Sequence, residues 1–262
     1  MYPREYARVF YEGQRAIGQP ETVSLIRSAW AGSQRYGALV WSGDVASTYE
    51  DFRKQLCAGI HMGLAGIPWW NTDIGGFHSG NIHDPAFREL LVRWFQFGAF
   101  SPVMRLHGVR DPGEQIVDKN GVKRMGTGAD NEIWSYGEEN YAIFRKFIGI
   151  RELMRDYIRE IMREAHEKGS PVMRALFYEF PEDAACWDIK DEYLFGPDVL
   201  VAPVCQAGAV SREVYLPTGA CWTHAGTGEV YEGGRACEIA APIDTLPVFL
   251  REGRQAYLAG RI

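Results

Sequence analysis

Apolar side chains recur at helical spacing in the stretch between residues 85 and 98. Steps of three and four residues place them on one side of a helix, which predicts a buried face. Asp84 stands in the N-cap position and Pro85 in the first helical position, so the start of the helix is marked as well. The residues of this face are Phe87, Leu90, Leu91, Trp94, Phe95 and Gly98.

Three further segments are predicted to be helical. Residues 48–63 follow Ser47 and Glu50, which have the spacing of a capping box. Residues 138–168 carry spaced apolar residues among many Arg and Glu, and residues 2–17 carry a shorter apolar set. The first two thirds of the chain therefore predict a succession of helices.

Short apolar segments with the composition of buried parallel strands lie between these helices, at residues 23–26, 38–41, 66–70 and 171–177. Each segment ends near a polar residue, which is Arg27, Asp44, Asp73 or Glu179 in chain order. In a (β/α)8 TIM barrel, groups at the carboxyl ends of successive strands form the active site. Four strands are half of the usual eight, so the pattern predicts an α/β fold that is half of such a barrel.

The pattern changes near residue 190. Short apolar stretches at residues 199–202, 213–216 and 245–250 are separated by turns rich in Pro and Gly. This arrangement is typical of strands in a small all-β domain that follows the α/β part.

The charge balance limits the classes of partner. Lys and Arg number 28 and Asp and Glu number 34, which gives a formal net charge of −6. A nucleic-acid surface needs a basic patch, so we expect no nucleic-acid partner. The longest weakly polar stretch, residues 56–70, contains a His and several Gly and is shorter than a bilayer span requires, so we expect no membrane partner.

The cysteines and the first residues favour a cytoplasmic location. The five Cys are odd in number and none are spaced as C-x-x-C, which favours reduced thiols over a disulfide framework or a structural zinc site. The start of the sequence lacks the apolar core of a signal peptide.

Two carboxylates follow predicted strands beside aromatic residues. Asp44 ends the sequence Val-Trp-Ser-Gly-Asp, and an apolar neighbour disfavours an ionised carboxylate, which suits a general acid. Asp73 lies between Trp70 and Phe77, whose rings offer stacking faces to a ligand. The alternatives are that Asp44 caps a turn and that Asp73 lies in a loop with buried aromatics.

Arg105 and His107 alternate along an extended segment, so both side chains lie on the same side of it. A guanidinium and an imidazole together can hold hydroxyls and a carboxylate; the alternative is a structural salt bridge. His78, His83 and Asp84 could suggest a metal-dependent hydrolase. They lie in a loop, however, and Asp84 is expected to cap a helix, so no metal site is expected.

Six segments, in order along nearly the whole chain, resemble glycoside hydrolase family 31, the family of α-glucosidases and α-xylosidases. The shared sequences are Leu-Ile-Arg-Ser from residue 25, Val-Trp-Ser-Gly-Asp from 40, Gly-Ile-Pro-Trp-Trp-Asn-Thr-Asp-Ile-Gly-Gly-Phe from 66, Phe-Gly-Ala-Phe-Ser-Pro-Val-Met-Arg-Leu-His-Gly from 97, Pro-Val-Met-Arg-Ala-Leu from 171 and Phe-Gly-Pro-Asp-Val-Leu-Val-Ala-Pro-Val from 195.

The resemblance implies a role for each matching residue in a retaining hydrolase of terminal α-linked sugars. Asp44 matches the general acid/base of the family. The remaining matches are pocket residues that contact the sugar: Arg27, Trp41, Asp73, Phe77, Arg105 and His107. No metal or organic cofactor is implied, and the partner is an α-glycoside or oligosaccharide substrate.

The resemblance also implies an architecture. Residues 1–192 match the C-terminal half of the (β/α)8 barrel, and residues 193–262 match the start of a β-sandwich domain. The catalytic nucleophile of the family is an Asp after the fourth barrel strand, and this chain carries no such motif.

A retaining glycosidase needs two carboxylates, so we expect this chain alone to be inactive and to need the missing N-terminal half of the enzyme. An open half-barrel could also associate with a second copy. The alternatives are a non-catalytic carbohydrate-binding remnant and an incomplete gene product.

Overall fold

A computed structural model describes residues 1–124 and 126–262. Its helices are α1 (Tyr2–Ala16), α2 (Tyr49–Leu64), α3 (Pro85–Ala99), α4 (Glu138–Leu153), α5 (Arg155–Lys168) and α6 (Leu176–Glu179). The strands of the first part are β1 (Ser24–Ile26), β2 (Ala38–Trp41), β3 (Trp70–Asn71), β4 (Gly80–Asn81), β5 (Arg110–Glu114) and β6 (Thr127–Ala129). The later strands are β7 (Met173–Arg174), β8 (Tyr193–Phe195), β9 (Val199–Val201), β10 (Ser211–Leu216), β11 (Cys221–His224), β12 (Val230–Glu232), β13 (Arg235–Ala240) and β14 (Val248–Arg251).

The first three strands form a parallel sheet in the order β1-β2-β3. Ile26 lies opposite Val40, and Val40 lies opposite Trp70. The chain beyond β3 extends this arrangement, because Ile74 forms a parallel bridge with Leu106 and its N–H donates to the Arg105 carbonyl at 3.2 Å. Four adjacent parallel segments with helices between them form the barrel half that the sequence predicts.

The helix starts show how local sequence sets the ends of these elements. Asp84 accepts a hydrogen bond from the Ala86 N–H at 2.9 Å, so the predicted cap of α3 is confirmed. The cap of α2 differs by one residue from the prediction: Thr48, rather than Ser47, accepts from the Asp51 N–H at 3.1 Å. Ser47 and Thr48 are both good cap residues, and the backbone conformation decides between them.

The predicted helix over residues 138–168 consists of two helices, α4 and α5, that meet at Met154. The side chain of Met154 is fully buried. On the last turn of α4, half-buried Arg151 donates to the carbonyls of Ala99, Ser101 and Pro102. These hydrogen bonds therefore hold the end of α4 against the segment between α3 and Arg105.

The prediction of a fourth parallel strand at residues 171–177 is wrong. Residues 173–174 form β7, which pairs antiparallel with β8 in the later sheet, and α6 begins at Leu176. An apolar run shows that a strand is buried but does not identify its partner. The fourth parallel position of the barrel half belongs instead to the segment through Leu106.

The C-terminal part packs two sheets across one core. A six-stranded sheet has the order β12-β11-β14-β9-β8-β7, and β10 pairs with β13 in a second sheet. Val214 and Ile239 from the small sheet share a buried cluster with Trp222 and Phe249 from the large sheet. The fold class is therefore half of a (β/α)8 barrel followed by a small β-sandwich domain, as predicted; the boundary after residue 192 stays a prediction.

A buried arginine on α3 joins the two parts. Arg93 is 1% exposed and donates to four carbonyls of the C-terminal part, those of Ala209, Ala241, Pro242 and Thr245, over 2.7–3.1 Å.

Along the described chain, the helices are too short or too polar to cross a bilayer.

Candidate active site

Five of the predicted site residues lie at the carboxyl ends of adjacent parallel segments. Arg27 follows β1, Asp44 follows β2 and Asp73 follows β3. Arg105 and His107 flank Leu106, which is bridged to Ile74 just after β3. The parallel register brings these side chains to one edge of the sheet, as the strand pattern predicts.

Asp44 forms an ion pair with Arg27. The Arg27 Nη2 and Asp44 Oδ1 atoms are 2.7 Å apart, and the guanidinium lies over the Trp41 ring at 5.2 Å from its centroid. The expected apolar contact of the Asp44 carboxyl with the indole is thus replaced by a guanidinium that contacts both groups. The Asp44 side chain is 34% exposed, so solvent and a ligand can reach it.

Asp73 is fully buried and is ion-paired with Arg105. Burial is the largest effect on Asp73 and raises the pKa of its carboxyl, while Arg105, His107 and Arg110 lower it. Repulsion from the nearby Asp44 carboxylate also raises the Asp73 pKa. The result is one accessible carboxylate beside one buried carboxylate.

Phe77 forms an apolar wall beside His107, with ring centroids 5.5 Å apart. The turn that leads to Phe77 is tight. Gly76 has a φ of +77°, and a Cβ atom there would lie 2.7 Å from the Ala46 carbonyl oxygen. Glycine is therefore required for the loop after β3 to pass against the loop after β2.

A row of buried polar atoms runs along the end of β3 without a hydrogen-bond partner in the described part of the chain. It comprises both amide atoms of Asn71, the hydroxyl of Thr72 and Oδ2 of Asp73. Buried polar atoms are normally paired, because leaving them unpaired costs free energy. These atoms offer hydrogen bonds to a polar ligand or to further protein atoms.

Glu179, the fourth polar strand end, lies outside this cluster. It is ion-paired with Arg174, and Arg251 lies 3.6 Å from its other oxygen. The change follows from the pairing of β7 with β8, which puts Glu179 in the C-terminal part.

His78 packs its ring against Phe77, Asp84 caps α3, and the described residues contain no group of three His, Cys, Asp or Glu that could hold a metal ion.

The sequence did not predict three residues that support the site, namely Arg110, Asn131 and Tyr136. Arg110 is fully buried and donates to Asn131 Oδ1 at 3.0 Å and to the Tyr136 hydroxyl at 3.3 Å. Arg110 lies three residues after His107, but Asn131 and Tyr136 lie more than 20 residues further along the chain, so the local sequence carries no signal for this cluster.

The arrangement is suited to acid–base chemistry on a polyhydroxylated ligand. Asp44 is an accessible carboxylate that can exchange a proton. Arg105 and His107 supply donors for hydroxyl oxygens, and Asp73 Oδ2 supplies an acceptor. Phe77 and Trp41 supply ring surfaces for the apolar face of a sugar.

Two family models match the chain and together cover most of it. The Glycosyl hydrolases family 31 TIM-barrel domain matches residues 1–161, which contain all the clustered side chains. The Glycosyl hydrolase family 31 C-terminal domain matches residues 169–254.

Similar proteins carry α-xylosidase and glucosidase names. The chain is 36% identical over 260 residues to an alpha-xylosidase of Saccharolobus solfataricus, which covers 99% of this chain and 33% of that protein. Over 111 residues it is 66% identical to an uncharacterized family 31 glucosidase of Pseudescherichia vulneris, which covers 42% of this chain and 21% of that protein.

A solved structure gives a similar result. A family 31 α-xylosidase from a soil metagenome, complexed with xylose, superposes with a TM-score of 0.95 and 55% sequence identity. The match covers 98% of this chain and 39% of that one. The chain thus spans well under half the length of these similar proteins.

Proposed function

The chain belongs to glycoside hydrolase family 31, and from that premise we propose that it supplies the acid/base half of the active site of a retaining α-glycoside hydrolase. The observation that carries the proposal is the cluster of Arg27, Asp44, Asp73 and Arg105 at adjacent strand ends. Terminal α-linked sugars are the proposed substrates.

Asp44 is the proposed general acid/base. In the first step its carboxyl protonates the departing glycosidic oxygen, and in the second it takes a proton from the water that releases the sugar. Its one-third exposure supports this role because the group must reach both the leaving group and water. Arg27 pairs with this carboxyl and packs over the Trp41 ring, so both residues help to fix its position.

The other clustered side chains are the proposed sugar-binding groups. Asp73 is fixed by Arg105, and its second oxygen is left to accept a hydroxyl. His107 and Phe77 lie side by side, so one offers a donor and the other an apolar surface. A buried charged acceptor and a guanidinium together favour a ligand with several vicinal hydroxyls.

A second carboxylate must act as nucleophile in a retaining mechanism. We propose that residues outside this sequence supply it and that this chain alone has little or no hydrolytic activity. Asp73 is the alternative within the chain. Its ion pair with Arg105 argues against it, since that contact engages the carboxylate that a nucleophile would have to present to the anomeric carbon.

Xylosides are the favoured substrate class. The support is that the soil-metagenome structure at 55% identity is an α-xylosidase with xylose bound, and the Saccharolobus relative is also named an α-xylosidase. An α-glucosidase is the second candidate, supported by the glucosidase of Pseudescherichia vulneris. A carbohydrate-binding remnant without catalysis would use the same pocket.

The purified chain tests these candidates through xylose and glucose binding, followed by NMR, and through hydrolysis of aryl α-xylosides and α-glucosides. We expect binding of xylose without turnover. Asp73→Asn should weaken binding, and Asp118→Asn should not, because Asp118 forms a similar ion pair with Arg124 in a loop outside the cluster. Robust hydrolysis that Asp44→Ala abolishes would contradict the proposed need for an outside nucleophile.

A further inference from the structure

Arg110 contacts the backbone of two segments that carry proposed sugar-binding residues. Its side chain is fully buried, and its guanidinium donates to the carbonyls of Gly76 at 2.7 Å, Ile74 at 2.9 Å and His107 at 3.4 Å. The first two carbonyls belong to the loop between Asp73 and Phe77, and the third belongs to the segment that carries Arg105. One side chain therefore joins two of the segments whose side chains form the proposed site.

The Nε–H of Arg110 is also hydrogen-bonded. Its Nε–H is shared between Asn131 Oδ1 and the Tyr136 hydroxyl, and Phe87 lies under the guanidinium at 5.1 Å. In the described part of the chain, all of these hydrogen-bond acceptors are neutral groups. The positive charge of Arg110 is therefore not cancelled by an adjacent carboxylate, and it acts on Asp73, whose pKa it lowers.

Close packing fixes the guanidinium in this position. A Cβ atom on Gly108 would lie 2.6 Å from Arg110 Nη1 and 2.7 Å from the Gly76 carbonyl oxygen. Only a residue without a side chain leaves room for the arginine to reach that carbonyl. The planar fork of arginine can bond several carbonyls at fixed angles, whereas the single ammonium of lysine cannot.

We propose that Arg110 is a positioning residue for the sugar pocket, by which we mean the proposed sugar-binding groups: it holds Asp73, Phe77, Arg105 and His107 in one fixed arrangement through the backbone of their two segments. The choice of a sugar as ligand rests on the proposed function. The positions of the four side chains can be measured without a ligand. If Arg110 were only structural, a conservative replacement would lower the stability of the fold and leave the pocket side chains unchanged.

Arg93 provides the matched control. It is equally buried and also donates to backbone carbonyls, but those carbonyls belong to the C-terminal part. Arg93→Gln should therefore lower the melting temperature without altering the pocket. Arg110→Gln removes both the fork and the charge, and Arg110→Lys removes the fork but keeps the charge.

The experiment uses the full chain and three readouts: NMR resonances of the His107 ring, titration of the Asp73 carboxyl carbon, and the dissociation constant for xylose. We expect both Arg110 variants to shift the His107 resonances. Arg110→Gln should raise the Asp73 pKa further, since a positive charge is lost, whereas Arg110→Lys should leave it close to the wild-type value. Both should raise the dissociation constant about tenfold, as expected when a binding group is misplaced.

The outcomes separate this inference from the proposed function. If the wild-type chain binds no xylose, the proposed function fails, while the His107 and Asp73 readouts still decide the role of Arg110. If both Arg110 variants only lower the melting temperature, as Arg93→Gln does, the inference is overturned. Should both Arg110 variants fail to fold, Tyr136→Phe replaces them, because it removes one acceptor of the Arg110 Nε–H. It should shift the His107 resonances by a smaller amount, and unchanged His107 resonances would overturn the inference.

Discussion

Asp73 and Arg105 form the most deeply buried ion pair of the pocket, with Asp73 fully buried and Arg105 25% exposed. Removing one partner leaves the other charge without compensation in a poorly solvated place. We expect Asp73→Asn and Arg105→Gln each to lower the free energy of unfolding by about 3 kcal/mol. The double variant should lose less than the sum, with a coupling of about 1–3 kcal/mol in urea unfolding; strictly additive losses would show that the pair does not couple.

His224 gives the C-terminal part a pH-dependent stability. The ring is 5% exposed and its Nδ1 accepts from the Thr227 N–H at 3.0 Å, while burial lowers the pKa of the imidazole. A group with a lowered pKa in the folded state takes up its proton more readily after unfolding. The contribution of His224 to stability is therefore present above the pKa of the imidazole in the unfolded chain, about 6.5. It is lost as the pH falls from that value through the lower pKa of the folded state.

The matched variant is His224→Asn, which keeps an acceptor for the Thr227 N–H and does not titrate. Urea unfolding at about pH 7.5 and about pH 5.5 should show a smaller loss of stability on acidification in this variant than in the wild-type chain. Equal losses in the two proteins would assign the acid sensitivity to other groups.

The loop after β3 depends on Gly76 at the level of the element. A side chain there meets a strained φ of +77° and also the Ala46 carbonyl oxygen at 2.7 Å. We expect Gly76→Ala to cost more than the roughly 1–3 kcal/mol of a left-handed alanine alone. Gly219→Ala is the control, because its φ is +86° and the space beside it is open; comparable losses in chemical denaturation would remove the steric part of the argument.

Local sequence predicted the helices and the strand ends of the barrel half, because those features depend on neighbours. Asp84 and Pro85 mark the start of α3, and the apolar face of α3 is buried as its spacing predicts. Asp44 and Asp73 follow strands whose parallel order could be inferred, and they lie at one edge. The assignment of roles to these residues came from the family resemblance.

The features that sequence reasoning missed depend on distant partners. Residues 173–174 pair with β8, some 20 residues later, and nothing in their composition distinguishes that partner from a barrel strand. Arg110 looks like a surface arginine until Ile74 and Gly76, more than 30 residues earlier, come to lie against it. A buried charged residue is predictable only when all its acceptors are known.

For the molecule as a whole, the barrel half leaves apolar side chains beside β1. Among the described strands, β1 pairs with β2 alone, and Val9, Phe10 and Leu25 nearby are 61%, 47% and 42% exposed. Unpaired edges and apolar patches favour association. We expect the apparent mass in sedimentation to increase with concentration and Phe10→Lys with Leu25→Lys to oppose this. Val230→Lys, at an exposed site on β12, is the control, and a concentration-independent monomer would contradict the prediction.

The same face offers a route to an active enzyme. The soil-metagenome α-xylosidase matches this chain at a TM-score of 0.95 over 39% of its own length, so we expect the part of that enzyme outside the match to present a complementary surface. Co-expression of that part with this chain buries apolar area on both sides, which favours association. We expect the complex to hydrolyse aryl α-xylosides, with Asp118→Ala in this chain as a neutral control.

Activity of that complex then tests Asp44 by its chemistry rather than by loss of function alone. A general acid assists poor leaving groups most, so Asp44→Ala should slow an unactivated α-xyloside by about a hundredfold or more and an activated aryl xyloside far less in its first step. Azide needs no general base and can attack the glycosyl-enzyme from the side that the nucleophile leaves open. It should therefore partly restore turnover of the activated substrate and yield an α-xylosyl azide. If both substrates slowed equally and azide gave no such product, Asp44 would be a structural partner of Arg27, and Asp73 would become the carboxylate to test as the acid/base.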